Sequence, residues 1–342
     1  MSLVNRRPLL QRAAIRGVIA AVALSAVAIS QWSQITGLVF GAERPVLVQA
    51  LVTGVLIGGV LGLVSMGLTL IFGVLHIVNF AQGALITLGM YTSYVLVNTT
   101  GIDVYVSLPI TAALLFAVGA VTQRVLLNPV MGRPIEAGLL VTLGLSIVIE
   151  NALRLGFGST PRSINVEHLY RPVDLGIVEI GVPIRILGSV ILLPQLIAFV
   201  GSLALAALLF VLLRRTRLGI AVRSVSDNAV GASLVGIDVN RIYMLTFGIG
   251  CACAGAAGAL ILPFQSLDPS TGTPLGIIAF VVVVLGGLGS VPGALLGGLL
   301  VGLTQEVGGA VFPDQNKLLP VFIVFLVVLF LRPQGLLGQE PD

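Results

Sequence analysis

Long apolar runs separated by short polar interruptions cover most of this chain of 342 residues. A helix of about 20 apolar residues crosses a hydrocarbon core roughly 30 Å thick, and many windows of the sequence meet that requirement. Segments of alternating polarity, which are typical of outer-membrane barrels, do not occur in the sequence. The pattern therefore predicts an all-α, polytopic integral membrane protein with about 8–10 transmembrane helices.

The apolar runs predict about ten helices, with room for one or two re-entrant segments among them. They lie near residues 17–39, 46–72, 82–98, 104–127, 135–155, 188–213, 242–262, 275–291, 293–312 and 318–331. This division predicts an N-terminal stub with an extra span at 1–45, a transmembrane domain at 46–338 and a tail at 339–342.

Basic residues lie mostly at the ends of the apolar runs. The chain has a net charge of +4 and only 9% charged residues. Because the basic residues flank apolar runs, we expect them to orient the helices in the bilayer, and no nucleic-acid partner is expected. Helices that alternate in direction place the N-terminus, 128–134, 214–241 and the C-terminal tail on one side. This side holds most of the arginines, so the positive-inside rule predicts that it is cytoplasmic. The 156–187 loop, on the other side, fits either a docking surface for a soluble partner or a plain solvated loop.

The N-terminal run has two interpretations. Arg6 and Arg7 precede an apolar stretch, as they do in a cleaved twin-arginine signal peptide. The apolar character resumes after Gln31 and reaches Phe40, which favours an uncleaved first span.

Residue types needed for catalysis or metal binding are scarce. The two histidines, His76 and His168, are far apart and fall on opposite sides of the predicted topology. A phosphate-binding P-loop needs a lysine, and the single lysine, Lys317, lies in a predicted turn after "PDQN". Cys251 and Cys253 point to different faces of one helix, so neither a disulfide nor a metal pair is expected. We therefore expect no enzyme activity, no metal and no cofactor in this chain.

Glycines recur every four residues in two of the apolar runs. Such rows allow two helices to approach each other closely. We predict helix packing at Gly54, Gly58, Gly62, Gly293 and Gly297, with Gly298 and Gly302 as a further pair at this spacing.

Few polar side chains interrupt the apolar runs, and each is costly in lipid unless it is partnered. Asn79 and Gln82 in "HIVNFAQG" lie either where a helix is interrupted near a transport pathway or in a cytoplasmic turn between two spans. Glu306 has no partner nearby in the sequence, so we expect it to be buried among helices. A hydrogen bond to another helix is favoured over substrate contact as its role. This lone carboxylate keeps an ion-coupled secondary transporter as the alternative function.

The stretch 214–241 is polar and rich in arginine, unlike the rest of the transmembrane domain. Asp227 is predicted to cap a short helix that begins at Asn228, and Gly236 is predicted to close it in the left-handed conformation. Val230 and Leu234 then share one face and could enter a groove on another protein. The alternative is a solvated loop whose arginines fix the topology and contact anionic lipid.

Four segments, in this order, resemble the permease family of ABC importers for branched-chain amino acids. They are "GLTLIFGVLHIVNFAQG" at 67–83, "SDNAVGASLVGIDVNRIYMLTFGIG" at 226–250, "VVLGGLGSVPGALLGG" at 283–298 and "RPQGLLG" at 332–338. The likeness runs from about residue 48 to 338 and leaves the extra N-terminal span outside it.

The resemblance implies a permease of the bacterial inner membrane, surrounded by the lipid bilayer, that moves branched-chain amino acids or related small solutes. The implied partners are a second permease subunit, two cytoplasmic ABC ATPases and a periplasmic substrate-binding protein. A heterodimer of permeases is favoured over a homodimer. ATP hydrolysis is expected in the partner subunits.

In that family the loop matching residues 227–238 is the coupling helix that docks on an ATPase. The residues to which the resemblance assigns coupling are Asp227, Asn228, Val230, Leu234, Gly236, Ile237 and Asp238. The sequence departs from the family pattern at one place. The family has N-F-A-H-G followed by an acidic residue, whereas this chain has Gln82 in place of the histidine and Ala84 in place of the acidic residue. Glu306 does match a position where the family tends to have glutamate.

Overall fold

The computed structural model of the protein describes residues 44–164, 173–174, 179–180, 184–186, 189–312 and 316–338. The predicted N-terminal span at 17–39, most of the stub at 1–45, half of the loop at 156–187 and the tail at 339–342 lie outside these residues. His168 lies outside them as well.

Helices dominate the described residues, as the sequence predicts. In chain order they are α1 (Arg44–Leu75), α2 (Gln82–Thr100), α3 (Val104–Thr122), α4 (Ile135–Phe157), α5 (Leu193–Arg215), α6 (Arg217–Asp227), α7 (Ala229–Leu234), α8 (Val239–Ile261), α9 (Gly272–Gly286), α10 (Val291–Val311) and α11 (Leu319–Leu331). The short strands are β1 (Val173–Asp174), β2 (Glu179–Ile180), β3 (Ile184–Ile186) and β4 (Ser189–Ile191), which pair antiparallel as β1–β2 and β3–β4.

Six helices of the described residues are long and apolar enough to cross a membrane: α1, α3 with its continuation to Val130, α4, α5, α8 and α10. The continuation of α3 is a π-helical turn, Gln123–Leu127, followed by a 3-10 turn, Asn128–Val130. Helices α9 and α11 are apolar but contain only 15 and 13 residues. The protein is therefore an all-α, multi-pass membrane protein.

The glycine rows bring α1 and α10 together, antiparallel. A Cβ atom added at Gly54 would lie 2.8 Å from the Cα of Leu303, and one added at Gly58 would lie 2.8 Å from the Cα of Leu299. Gly62 contacts Leu295 in the same way. Because no side chain separates the two backbones at these glycines, the helices pack closely.

The predicted glycines of α10 face a different helix, α9. Gly293 meets the backbone of Gly286, and Gly297 lies against Val282, so both pack α10 on α9. All five predicted glycines therefore lie at contacts between helices. The second row of α10, Gly298 with Gly302, lies against α1 instead.

Helix α8 lies at the centre of the bundle and contacts α1, α2, α3 and α5. Small residues again allow the approach, since Gly250 lies against Ile71, Gly255 against Leu115 and Gly258 against the backbone of Ile86. Phe247 of this helix is fully buried. The buried core of the protein is thus built around α8.

Several boundaries differ from the prediction, and two of the differences have a clear cause in the structure. The predicted helix at 275–291 ends at Gly286, because Gly287 and Gly289 have φ angles of 105° and 84°, which a helix cannot contain. The hydroxyl of Ser290 then accepts a hydrogen bond from the Gly293 amide and caps α10. The predicted helix at 188–213 begins at Leu193, because the residues before it form β4.

The bundle has two ends, which differ in composition. The hairpin end carries β4, the segment 158–164 and the loop 262–271. Gln49 of α1 fixes β4 there through two hydrogen bonds with the backbone of Val190, at 2.8 and 2.6 Å. The arginine end carries residues 131–134, 216–238, 287–290 and 332–338, together with most of the described arginines.

Candidate functional site

The chain between α1 and α2 leaves the helical conformation inside the bundle. Helix α1 ends at Leu75, His76 has a φ angle of 54°, and α2 begins only at Gln82. A positive φ is unfavourable for a residue with a side chain, so His76 marks a sharp reversal of chain direction. Residues 77–81 return along the bundle without forming a helix.

The amides of Asn79 and Gln82 hold this return segment in place. Only 2% of Asn79 and 1% of Gln82 is exposed. The Gln82 side chain donates to the carbonyl of Val64 at 3.2 Å and accepts from the Asn79 amide at 3.2 Å. The Asn79 carbonyl oxygen in turn accepts from the backbone N–H of Ala81 at 3.1 Å. These bonds satisfy polar groups that lipid would leave unpaired.

The position of Val64 shows how deep the return segment lies. Val64 precedes the end of α1 at Leu75 by eleven residues, which corresponds to about 16 Å along the helix axis. The amide pair is therefore near the middle of a core roughly 30 Å thick. This geometry supports the helix-interruption interpretation of Asn79 and Gln82 over the interpretation as a turn at the membrane surface.

Thr142 of α4 completes the site, and the sequence did not predict it. Its hydroxyl hydrogen is shared between the carbonyl of Leu139 at 3.0 Å and that of Val78 at 3.3 Å, and its oxygen accepts from the amide of Phe80 at 3.3 Å. The ring of Phe80 stacks on Phe280 of α9, with centroids 6.2 Å apart. A single threonine in an apolar run carries no periodic pattern, so only the fold identifies its partners.

A second candidate site is the short helix α7 at the arginine end. Its N-cap is Asn228, whose side chain accepts from the amide of Gly231 at 2.8 Å. The predicted cap, Asp227, is wrong by one residue, because Asp227 is the last residue of α6. Gly236 has the predicted left-handed conformation, with a φ angle of 88°. Asp238 caps the following helix α8 by accepting from the amide of Arg241.

Helix α7 presents an apolar face to solvent. Val230 is 71% exposed and Leu234 is 83% exposed, whereas Ala232 on the opposite face is buried and Ile237 packs against the core. The hydroxyl of Ser226, just before α7, donates to the carbonyl of Gly73 in α1. The exposed face is therefore held firmly by caps and by contacts with transmembrane helices.

The four segments that carry the family resemblance meet at this arginine end. Ser226 bonds to Gly73, and Gly73 also lies against Gly289. The amide of Leu336 donates to the carbonyl of Leu285 at 2.9 Å. A sequence model of one family, described as branched-chain amino acid transport system / permease component, matches residues 50–331.

The chain belongs to this permease family. The permease is 32% identical over 300 residues to the high-affinity branched-chain amino acid transport system permease protein BraD of Pseudomonas aeruginosa, covering 85% of this chain and 95% of the relative. It is 31% identical, with the same coverage, to the corresponding permease protein LivH of Escherichia coli. A ribose import permease protein, RbsC of Escherichia coli, is 27% identical over 71% of this chain and 73% of its own length. No solved structure matches.

The hairpin end of the permease holds an open cleft of about 610 Å³ between α4 and the loop 262–271. Glu150 lines it and forms an ion pair with Arg154 at 2.8 Å. Burial alone would raise the pKa of the Asp268 carboxyl, but hydrogen bonds from Ser270 and Thr271 outweigh burial and hold this pKa below its usual range. Both acidic groups of the cleft are therefore engaged by the protein itself.

Glu306 of the permease lines a smaller cavity of about 260 Å³ between α1 and α10. It is partly buried, whereas the sequence interpretation expects a buried side chain. Among the described residues its carboxylate forms no hydrogen bond to another helix, so the structure does not contain the interaction favoured by the sequence interpretation. The described residues also contain no group of three or more His, Cys, Asp or Glu side chains that could hold a metal ion.

Cysteine accessibility tests whether the return segment of the permease faces a pathway. We expect cysteines at positions 79 and 82 to react slowly with a small aqueous thiol reagent in the resting state, because both side chains are buried. The rate should change during ATP-driven turnover. A cysteine at Asn98, an exposed residue near the end of α2, is the matched control and should react rapidly in both conditions. Rapid labelling from one side only, independent of turnover, would show a surface turn.

Proposed function

We propose that this permease is the transmembrane subunit of an ABC importer that moves branched-chain amino acids or related small amphipathic solutes across a bacterial inner membrane. The exposed apolar face of α7, Val230 with Leu234, is the observation that carries the proposal. A solvated connector has no need of a capped helix with an apolar face. A docking helix requires one.

Coupling of α7 to the membrane helices supports this function. The Asp238 cap joins α7 directly to the start of α8, the central helix of the bundle. The Ser226 hydroxyl joins the other side of α7 to α1 just before the helix interruption. Movement of α7 by a docked ATPase would therefore reach both helices that surround Gln82, since α8 and α1 each contact α2 or its return segment.

The proposed assembly contains a second permease subunit, two cytoplasmic ABC ATPases and a periplasmic substrate-binding protein. The arginine end is the cytoplasmic end in this arrangement, with both termini there, because positive residues are retained on that side. The hairpin end then faces the binding protein. Exposed apolar residues on α3 and α4, such as Val121, Ile147 and Leu155, face lipid or the second permease.

An ion-coupled secondary transporter is the second candidate, and the partly buried carboxylate of Glu306 is the observation that favours it. The two functions differ in their energy source. An importer subunit is inert without its ATPases, whereas a secondary transporter works alone under an ion gradient.

Uptake in proteoliposomes distinguishes them. We expect labelled leucine to accumulate only when the permease is reconstituted with the ATPases, the binding protein and ATP. Ionophores that dissipate proton and sodium gradients should leave this uptake unchanged. Uptake by the permease alone under an imposed gradient would reject the importer function in favour of the secondary transporter.

A further inference from the structure

The cavity that contains Glu306 lies at the hairpin end of the groove between α1 and α10. Its walls are Val46, Gln49, Ala50, Thr53, Gln305, Glu306, Gly309, Ala310 and Lys317. Its volume of about 260 Å³ is several times the share of one water molecule, about 30 Å³, and lies just below the range of drug-sized sites, about 300–1,000 Å³. The space therefore fits one small solute.

Two opposite charges face this space without pairing with each other. Glu306 and Lys317 both line the cavity. Within the described ranges, the side-chain ion pair is Glu150 with Arg154, at the neighbouring cleft. Lys317 is also the single lysine of the whole sequence. A carboxylate and an ammonium that share a cavity but remain apart offer one site to a cation and one to an anion.

Neither of the two neighbouring amides offers a free group to a solute. The Gln49 side chain is fully engaged, because it donates to Thr53 and to the carbonyl of Val190 and accepts from the Val190 amide. It forms a fixed wall of the cavity. The carbonyl oxygen of Gln305 has no hydrogen-bond partner among the described residues, but it has almost no surface open to the cavity. The groups that can bind a solute are therefore the two charges.

We propose that this cavity binds one zwitterionic α-amino acid at the hairpin end of the permease. Glu306 accepts hydrogen bonds from its ammonium group, and Lys317 donates to its carboxylate. Val46, Ala50 and Ala310 provide the apolar surface for a short aliphatic side chain. This inference rests on the proposed function and deepens it, because it gives the permease its own contact with the solute.

Binding of three related ligands tests the proposal without any mutation. The permease with its ATPases in lipid nanodiscs, without the binding protein, is titrated with leucine, with leucinamide and with 4-methylpentanoate. Leucinamide lacks the carboxylate and 4-methylpentanoate lacks the ammonium group. We expect leucine to bind at least about tenfold more tightly than either analogue, because it alone engages both charges. Equal binding of all three, or no binding of leucine, overturns the site.

Two variants then assign the ends of the ligand. Glu306→Gln should weaken leucinamide binding and leave 4-methylpentanoate unchanged, and Lys317→Gln should do the opposite. Glu150→Gln, which removes a carboxylate from the neighbouring cleft, is the matched control and should change neither. A purely structural role for Glu306 would lower the binding of all ligands together. That result overturns the assignment.

ATP-driven leucine uptake by the same preparations, supplied with binding protein, separates this inference from the proposed function. Normal uptake by both variants with unchanged ligand binding rejects the cavity as a site and leaves the importer function intact. The expected ligand ranking without any ATP-driven uptake by the wild-type complex rejects the importer function and leaves the site intact. Reduced uptake by both variants, with the crossed binding pattern, supports both.

Discussion

Leu234→Asp is expected to abolish both transport and co-purification of the ATPase subunits. Leu234 is the most exposed apolar residue of α7, so it would lie at the centre of a docked interface. A carboxylate there would have to lose its water without gaining a partner, which costs several kcal/mol. That cost weakens binding by orders of magnitude. Membrane insertion should be normal, because the residue lies outside the spans. The measurements are affinity co-purification and substrate uptake in cells.

Two further variants sharpen this experiment. Gly236→Val should cause similar damage, because Gly236 has a φ angle of 88° and a β-branched residue is strained there. Arg217→Gln removes one of several arginines from the same end and should be tolerated. If the Leu234→Asp protein retains its ATPases and transports normally, the α7 face is not a docking surface.

Gly58→Val is expected to prevent the correct packing of α1 against α10. A Cβ atom at this position would lie 2.8 Å from the Cα of Leu299 and 2.9 Å from the carbonyl oxygen of Gly298. Both obstacles are backbone atoms, so neither can move aside by changing a rotamer. Overpacking of this kind costs about 1–3 kcal/mol and more where the backbone must shift. The melting temperature of the purified protein should fall by several degrees or more, and the fraction eluting as a single species should decline.

Gly144→Val is the matched control for this prediction. Gly144 also lies inside a transmembrane helix, α4, but an added Cβ atom would have nothing within 4 Å. The two substitutions therefore share the same change in helix propensity and differ in steric contact. Equal thermal stability of the two variants would show that close approach of α1 and α10 is not required.

The apolar helices could be predicted from the sequence because length and hydrophobicity alone define them. Helix α6, Arg217–Asp227, was missed, because it lies at the surface and contains no long apolar run. That omission moved the predicted cap of α7 from Asn228 to Asp227, since both residue types cap helices well. The family was predicted correctly.

The partners of the polar residues could not be predicted from the sequence. Asn79 and Gln82 were identified because amides in an apolar stretch need hydrogen bonds, but their link to Val64 depends on how the chain reverses at His76. The contact of Thr142 with the return segment spans more than 60 positions. Contacts over such distances follow from the arrangement of helices, which local patterns do not encode.

The depth at which α2 begins determines where its other end lies. A helix of 19 residues is about 28 Å long, so α2 reaches about 44 Å beyond the level of Leu75, well past a core of roughly 30 Å. With a core that begins at the level of Leu75, its last residues stand in the aqueous layer. The side chains of Asn98, Thr99 and Thr100 each donate to a carbonyl one turn earlier, which satisfies acceptors that water also reaches. In this arrangement the polar end of α2 extends beyond the bilayer and projects into the water on the hairpin side.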